Sequence, residues 1–274
     1  MQPGSGVGGG ARRPPGRSPA GGPPGAGTGL REEIEKFDRL AARWWDPRGP
    51  MAPLHAMNPA RMGWIIPRIA RAHGRGPAAA GALAGLRVLD VGCGAGLASE
   101  ALARAGAAVT GLDAAGQALA VARAHAAAAG LAIDYRQGTP EALLAAGGRG
   151  AFDAVLALEV VEHVADRDAF CRHLAALARP RGGLVFLSTL NRTARSFLFA
   201  KIGAEYVLRL LPAGTHDWRM FVRPAELGAS LRGAGLRVAD LAGLTMDPLT
   251  GRWRTGRDVG VNYIVMAQAP AVPG

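Results

Sequence analysis

From residue 87 onward the chain alternates between short apolar runs and longer stretches with helical spacing. Arg87–Val91, Ala108–Leu112, Ala132–Arg136, Phe152–Leu158 and Leu184–Ser188 read as strands. Between them, Leu97–Ala105, Gln117–Ala129 and Arg167–Arg179 read as helices. A further helix from about Pro224 to Arg232 and strands near Leu236–Leu241 and Val261–Ala267 complete the series. Strands alternating with helices indicate a parallel sheet covered on both faces. The pattern therefore predicts an α/β fold built on a mostly parallel sheet of seven strands.

The region before residue 87 reads differently. Residues 1–30 are dominated by Gly and Pro, carry no acidic residue before Glu32, and are expected to be a disordered tail. An acid-free, Arg-containing start is a faint trace of a transit peptide, but Pro and Gly break the amphipathic helix such a peptide needs, so an untargeted tail is the expectation. Residues 31–76 read as a helical cap. Ile34, Phe37, Leu40, Ala41 and Trp44 recur at helical spacing, and Trp45-Asp46-Pro47 ends that segment. A second helix is predicted to follow Pro59, with Met62, Ile65 and Ile66 on it and Pro67 near its middle or kinking it. The Gly, Pro and Ala-rich stretch from Gly74 to Ala84 marks a linker, taken as residues 77–86, to a domain over 87–270.

Composition narrows the picture. No stretch approaches the ~18 uninterrupted apolar residues that cross a bilayer. The formal charge of +11 raises nucleic acid as a partner. However, the basic residues are nearly all Arg and are scattered rather than gathered in a stripe, so no nucleic-acid partner is expected. Cys93 and Cys171 lack metal-ligand or disulfide-framework spacing, which points to a reducing compartment.

The strongest local signal is Val88-Leu89-Asp90-Val91-Gly92-Cys93-Gly94-Ala95-Gly96, a glycine-rich turn between a strand and a helix. The dinucleotide fingerprint wants its third glycine where this chain has Leu97; here it falls at Gly96. Asp90 would repel a pyrophosphate and attract the ammonium of S-adenosylmethionine, which carries no phosphate. Asp113 closes the next strand, near the ~20-residue offset at which an acid meets ribose hydroxyls. A helix N-cap is the structural alternative for either aspartate, and tight packing is the alternative for the glycines. A nicotinamide dehydrogenase is disfavoured further because none of Tyr135, Tyr206 or Tyr263 has a lysine four residues on.

At this point the chain resembles the ubiquinone-biosynthesis O-methyltransferase family over about residues 31–268. The resemblance rests on Arg43-Trp44-Trp45-Asp46, Pro53-Leu54-His55, Asn58-Pro59-Ala60-Arg61, the glycine loop, Glu159-Val160-Val161-Glu162-His163-Val164, Ser188-Thr189-Leu190-Asn191-Arg192, Gly214-Thr215-His216-Asp217 and Val261-Asn262-Tyr263. It implies a Rossmann-like fold and S-adenosylmethionine contacts at Arg61, Gly92, Asp113 and Leu158, with Gly94 and Gly96 completing the loop. It also implies methylation of hydroxyls on polyprenylated catechol-type intermediates, 2-polyprenyl-6-hydroxyphenol and 3-demethylubiquinol. A small-molecule or RNA methyltransferase of the same fold is the alternative.

Methyl transfer to oxygen requires the acceptor to lose a proton, because a neutral phenol with a pKa of roughly 10 is a poor nucleophile. A divalent cation on adjacent hydroxyls favours the anion. Glu159, Glu162 and His163 follow the fourth strand, and helical spacing would put them on one face. The carboxylates suit magnesium, whereas His163 suits manganese, iron or zinc better; the resemblance implies magnesium. Hydrogen bonding and packing are the structural alternatives. His216 is a candidate catalytic base, with a loop hydrogen bond to Asp217 as its alternative.

The connection Thr193–Met220 is longer than ordinary ones. Lys201, Glu205 and Arg209 recur every four residues among Phe199, Ile202, Tyr206, Val207, Leu210 and Leu211, which predicts an amphipathic helix. Residues 195–211 would meet a membrane surface holding a polyprenylated substrate, or else form a lid packed on the core. The expected location is cytoplasmic, peripheral on the inner face of a membrane, with other ubiquinone-biosynthesis enzymes as possible neighbours.

Overall fold

The computed structural model describes Met1 and residues 40–77, 79–197, 218–247 and 249–270. Its strands are β1 (Arg87–Val91), β2 (Ala108–Asp113), β3 (Asp134–Gln137), β4 (Ala154–Leu158), β5 (Leu184–Leu190), β6 (Arg237–Met246), β7 (Trp253–Gly256) and β8 (Asn262–Gln268). They form one sheet in the order β3-β2-β1-β4-β5-β8-β6-β7. The pairings from β3 to β5 are parallel, whereas β8 runs antiparallel to β5 and β6. β4 and β5 read as near-continuous apolar runs because both of their faces are covered.

The helices are α1 (Ala52–Ala72), α2 (Leu97–Arg104), α3 (Gly116–Ala128), α4 (Pro140–Ala145), α5 (Arg167–Leu177) and α6 (Pro224–Gly233). One apolar layer gathers Leu89, Val155, Phe170, Leu174, Val185 and Tyr263. The other gathers Ile65, Ile69, Val88, Leu102, Leu156 and Phe186. The chain order reverses between β1 and β4, so the loops after these strands face each other across the carboxyl edge, where open α/β sheets hold their ligands.

The α/β, mostly parallel sheet is as expected, with three differences. An eighth strand, β7, pairs antiparallel with β6; its four residues are too short for a periodic signal. α4 was not anticipated either, although Thr139 caps it by accepting from the Ala142 amide and Pro140 starts it. Finally, α1 begins at Ala52, with Pro53 in its first turn, and both Pro59 and Pro67 lie inside it. Each internal proline costs about 3 kcal/mol. Burial of Met57, Met62, Trp64, Ile65 and Ile69 against the sheet offsets that cost at roughly 1.5–3 kcal/mol per side chain. Within the stretch expected as a linker, Ala82 and Leu83 are buried, and the Leu83 amide donates to the Ala105 carbonyl.

Trp64 fastens α1 to the sheet. Its ring meets Phe186 edge-on at 6.1 Å, the Arg68 guanidinium stacks on it at 3.7 Å, and Arg68 pairs with Asp240 at 2.7 Å. Trp64→Ala should therefore cost roughly 3–5 kcal/mol in denaturant unfolding. A loss under about 1 kcal/mol would mean that α1 is held elsewhere.

Candidate active site

Three glycines turn the chain out of β1. Gly92, Gly94 and Gly96 have φ of 68°, 53° and 90°, values that side-chain-bearing residues rarely adopt. Protein atoms fill the space beside each. A Cβ on Gly92 would lie 2.4 Å from Val160, one on Gly94 2.4 Å from Trp44, and one on Gly96 2.1 Å from the Tyr135 hydroxyl. Packing therefore accounts for these glycines as fully as ligand approach does. Asp113, at the end of β2, ties the loop down. Its Oδ2 accepts from the Gly94 amide at 2.7 Å and its Oδ1 from the Ala115 amide at 2.8 Å.

The segment before β1 closes over this loop. The Trp45 indole donates to the Ala95 carbonyl at 3.1 Å and stacks on His125 at 3.5 Å. His55 Nε2 bonds the Trp44 carbonyl at 2.8 Å, and Asn58 donates to the Leu97 carbonyl at 3.1 Å. One turn further along α1, Arg61 points into the sheet edge and is 3% exposed. Burial pulls its guanidinium below the usual range, while Glu159, Asp90 and Glu162 hold it up. Arg61 Nη1 lies 3.9 Å from Glu159. Asp90, buried in β1, accepts from Ser99 at 2.6 Å, and its carboxyl is pushed up to about 6 by burial.

β4 delivers half-buried Leu158 and then Glu159, which has a φ of 56° and is the one non-glycine residue with positive φ among the described residues. β5 lies alongside, and its successive residues serve the two carboxylates separately. Ser188 donates to Glu159 at 2.6 Å and Thr189 to Glu162 at 2.8 Å. From β8, the Asn262 amide donates to both Glu159 oxygens at 3.3 and 3.2 Å. Burial first and Glu159 second push the buried Glu162 well above the carboxylate range, while His163 opposes them. The segment Val161–His163 forms a 3-10 turn, too short for the helical face expected of these residues. Among the described residues, no three His, Cys, Asp or Glu gather into a group that could hold a metal ion. Beside Glu162 opens a cavity of about 470 Å³, whose lining includes Val161, Val164, Arg192, Met220, Phe221 and Val222.

The structure thus brings Arg61, Asp90, Gly92, Gly94, Gly96, Asp113, Leu158, Glu159, Glu162 and His163 to one edge of the sheet. His216 and most of the amphipathic segment lie outside the described residues.

Comparison with known proteins decides the family. A ubiquinone biosynthesis O-methyltransferase of Methylobacterium sp. (strain 4-46) is 53% identical over 239 residues, 87% of this chain and 95% of the relative. The chain belongs to that family. Another such enzyme, from Azorhizobium caulinodans, is 51% identical over 236 residues, 86% of this chain and 92% of the relative. The family described as methyltransferase domain matches residues 89–186. In fold, the chain is similar to magnesium protoporphyrin IX methyltransferase from Synechocystis PCC 6803, solved with bound S-adenosylhomocysteine. The TM-score is 0.59 at 23% identity, over 87% of this chain and 94% of that one. This is an S-adenosylmethionine-dependent methyltransferase.

Reasoning from the residues alone did not single out Ser188, Thr189, Asn262 or Trp44 for the site of this methyltransferase. The first three sit at strand ends on the carboxyl edge, a signal that could have marked them. Asp90 generates a prediction. Its folded pKa stands above the ordinary 3.8, so the fold favours its protonated form, and stability falls as pH rises through about 6. Asp90→Asn, which mimics that form, should unfold at a higher temperature than wild type at pH 8. The gap, on the order of 3 kcal/mol, should close toward pH 4. A gap independent of pH would show that the buried charge is not its source.

Proposed function

We propose that this enzyme transfers the methyl group of S-adenosylmethionine to a hydroxyl of a polyprenylated catechol-type acceptor, 2-polyprenyl-6-hydroxyphenol and 3-demethylubiquinol being its substrates. The acceptor in this reading follows the relatives named above, and the observation that carries the cofactor is the charge at the sheet edge, where Asp90, Glu159 and Glu162 all act on Arg61. That excess of carboxylates suits a cationic ligand and repels a phosphate-bearing one.

When bound, S-adenosylmethionine supplies a methyl group on a positively charged sulfur. Asp90 would face its ammonium and Arg61 its carboxylate. Asp113 would accept from the ribose hydroxyls, Leu158 would pack on the adenine face, and the Gly92–Gly96 loop would let the backbone approach. The cavity beside Glu162 would take the acceptor ring, its volume lying within the roughly 300–1,000 Å³ usual for small-molecule sites. Trp45 and Trp44, closed over the loop, would keep water from the methyl group.

The magnesium implied by the resemblance is part of the same proposal. Carboxylate oxygens of Glu159 and Glu162 are the hard donors that this ion takes, and a divalent cation would return Glu162 to its charged form. His163 follows Glu162 in the same 3-10 turn and would be the weaker donor. Held there, the ion would lower the pKa of an acceptor hydroxyl. His216 is the proposed base and Arg61 a cofactor residue, so neither is part of that ligand set.

The test uses labelled S-adenosylmethionine with a short-chain prenylated catechol and with RNA. Transfer to the catechol is expected and transfer to RNA is not; the reverse would assign the enzyme to the RNA-modifying class. Magnesium should raise the unfolding temperature of the wild type but not of Glu162→Gln, and chelator should stop turnover while S-adenosylhomocysteine binding persists. Full turnover in chelator would remove the metal.

Residues 195–211 are proposed as the contact with a membrane surface. Phe197 and Met220 stand exposed on either side of residues 198–217, which offers supporting apolar surface. Among the described residues, no helix is long and apolar enough to cross a membrane. Phe199→Glu with Leu210→Glu should reduce sedimentation with anionic liposomes several-fold. Unchanged sedimentation of the folded variant would favour a lid.

A further inference from the structure

Asn262 opens β8 opposite Leu190 of β5 and is 2% exposed. Both Glu159 oxygens take up its Nδ2. Its Oδ1 is buried and has no hydrogen-bond partner in the structure, and the same holds for Nε of Arg61, which lies beside the same carboxylate. Buried polar atoms are nearly always paired, and one that is not calls for an explanation. Here a donor and an acceptor are both left over at the carboxyl edge of the sheet, around a glutamate whose backbone is itself strained.

A ligand that satisfies Oδ1 must bring a hydrogen-bond donor and must keep it. The hydroxyl undergoing methylation does not qualify, because it gives up its proton and the resulting oxyanion would be repelled by an amide oxygen. A second hydroxyl on the neighbouring ring carbon retains its proton throughout. Resting on the catechol reading above, we propose that Asn262 determines acceptor specificity. Its Oδ1 accepts a hydrogen bond from the hydroxyl adjacent to the one methylated, while its Nδ2 keeps Glu159 in place. A monophenol would leave Oδ1 unpaired, and a site built to bond a hydroxyl discriminates strongly against an analogue lacking it.

The experiment compares wild type, Asn262→Ala and Asn262→Thr on a short-chain catechol and the matching monophenol, with S-adenosylhomocysteine affinity measured by calorimetry. For the catechol, kcat/KM of Asn262→Ala should fall at least about tenfold further than for the monophenol, whose smaller loss reports only the release of Glu159 from Nδ2. Asn262→Thr, whose hydroxyl both donates and accepts, should recover part of the loss. S-adenosylhomocysteine affinity should stay within about twofold of wild type, which also shows that the variants fold. Equal losses on both acceptors would reduce Asn262 to a structural role. Lost affinity for S-adenosylhomocysteine in a variant with wild-type unfolding temperature would assign Oδ1 to the cofactor. Unchanged catechol turnover would also overturn the assignment. If neither variant folds, wild-type competition decides: the monophenol should compete at least about tenfold more weakly than the catechol, and equal competition overturns the assignment. Failure of wild type to methylate either acceptor while it binds S-adenosylhomocysteine would instead overturn the catechol reading and the assignment with it.

Discussion

A buried guanidinium held among carboxylates is the interaction on which the site depends. Arg61 loses hydration on burial, which lowers its pKa, and Glu159, Asp90 and Glu162 oppose that shift and compensate its charge. In turn, the carboxylates are tolerated because each has its own donor, Ser99 for Asp90, Ser188 and Asn262 for Glu159, and Thr189 for Glu162. Those donors come from a helix and two strands, so the charge cluster exists only when the sheet has assembled. Residual strain is visible at the same place, in the raised carboxyl of Asp90 and the positive φ of Glu159.

The sheet order makes this possible. Reversal between β1 and β4 leaves a crevice flanked by the glycine loop and the Glu159–His163 turn, and Val160 packs against Gly92 across it. The antiparallel return of β8 then carries Asn262 back to the carboxyl edge, where the parallel strands end. The residues proposed for the cofactor and those proposed for the acceptor thus meet at one line across the sheet. The Trp44–Arg61 stretch covers it from above and links the loop to α1 through His55 and Asn58.

Legibility in the sequence followed physical range. Strands buried on both faces, the turn after β1, and the acids at strand ends are local patterns, and they were readable with nearly their final bounds. β7 and α4 are too short to show a period, and α1 runs through two prolines because tertiary burial outweighs a local penalty. Gly94 was legible as a required glycine, but its packing partner, Trp44, lies fifty residues upstream and only the fold brings the two together. The same holds for Asn262, which meets Glu159 across 103 positions of chain. No spacing rule reaches that far.

The central claim is that the crevice between β1 and β4 selects a cation-bearing adenosine over a phosphate-bearing one. Titration calorimetry of the wild-type protein with S-adenosylmethionine and, separately, with a nicotinamide dinucleotide tests it most directly. Saturable one-to-one binding of the first and no heat from the second is the predicted result. Tight binding of the dinucleotide, with none of S-adenosylmethionine, would contradict the account.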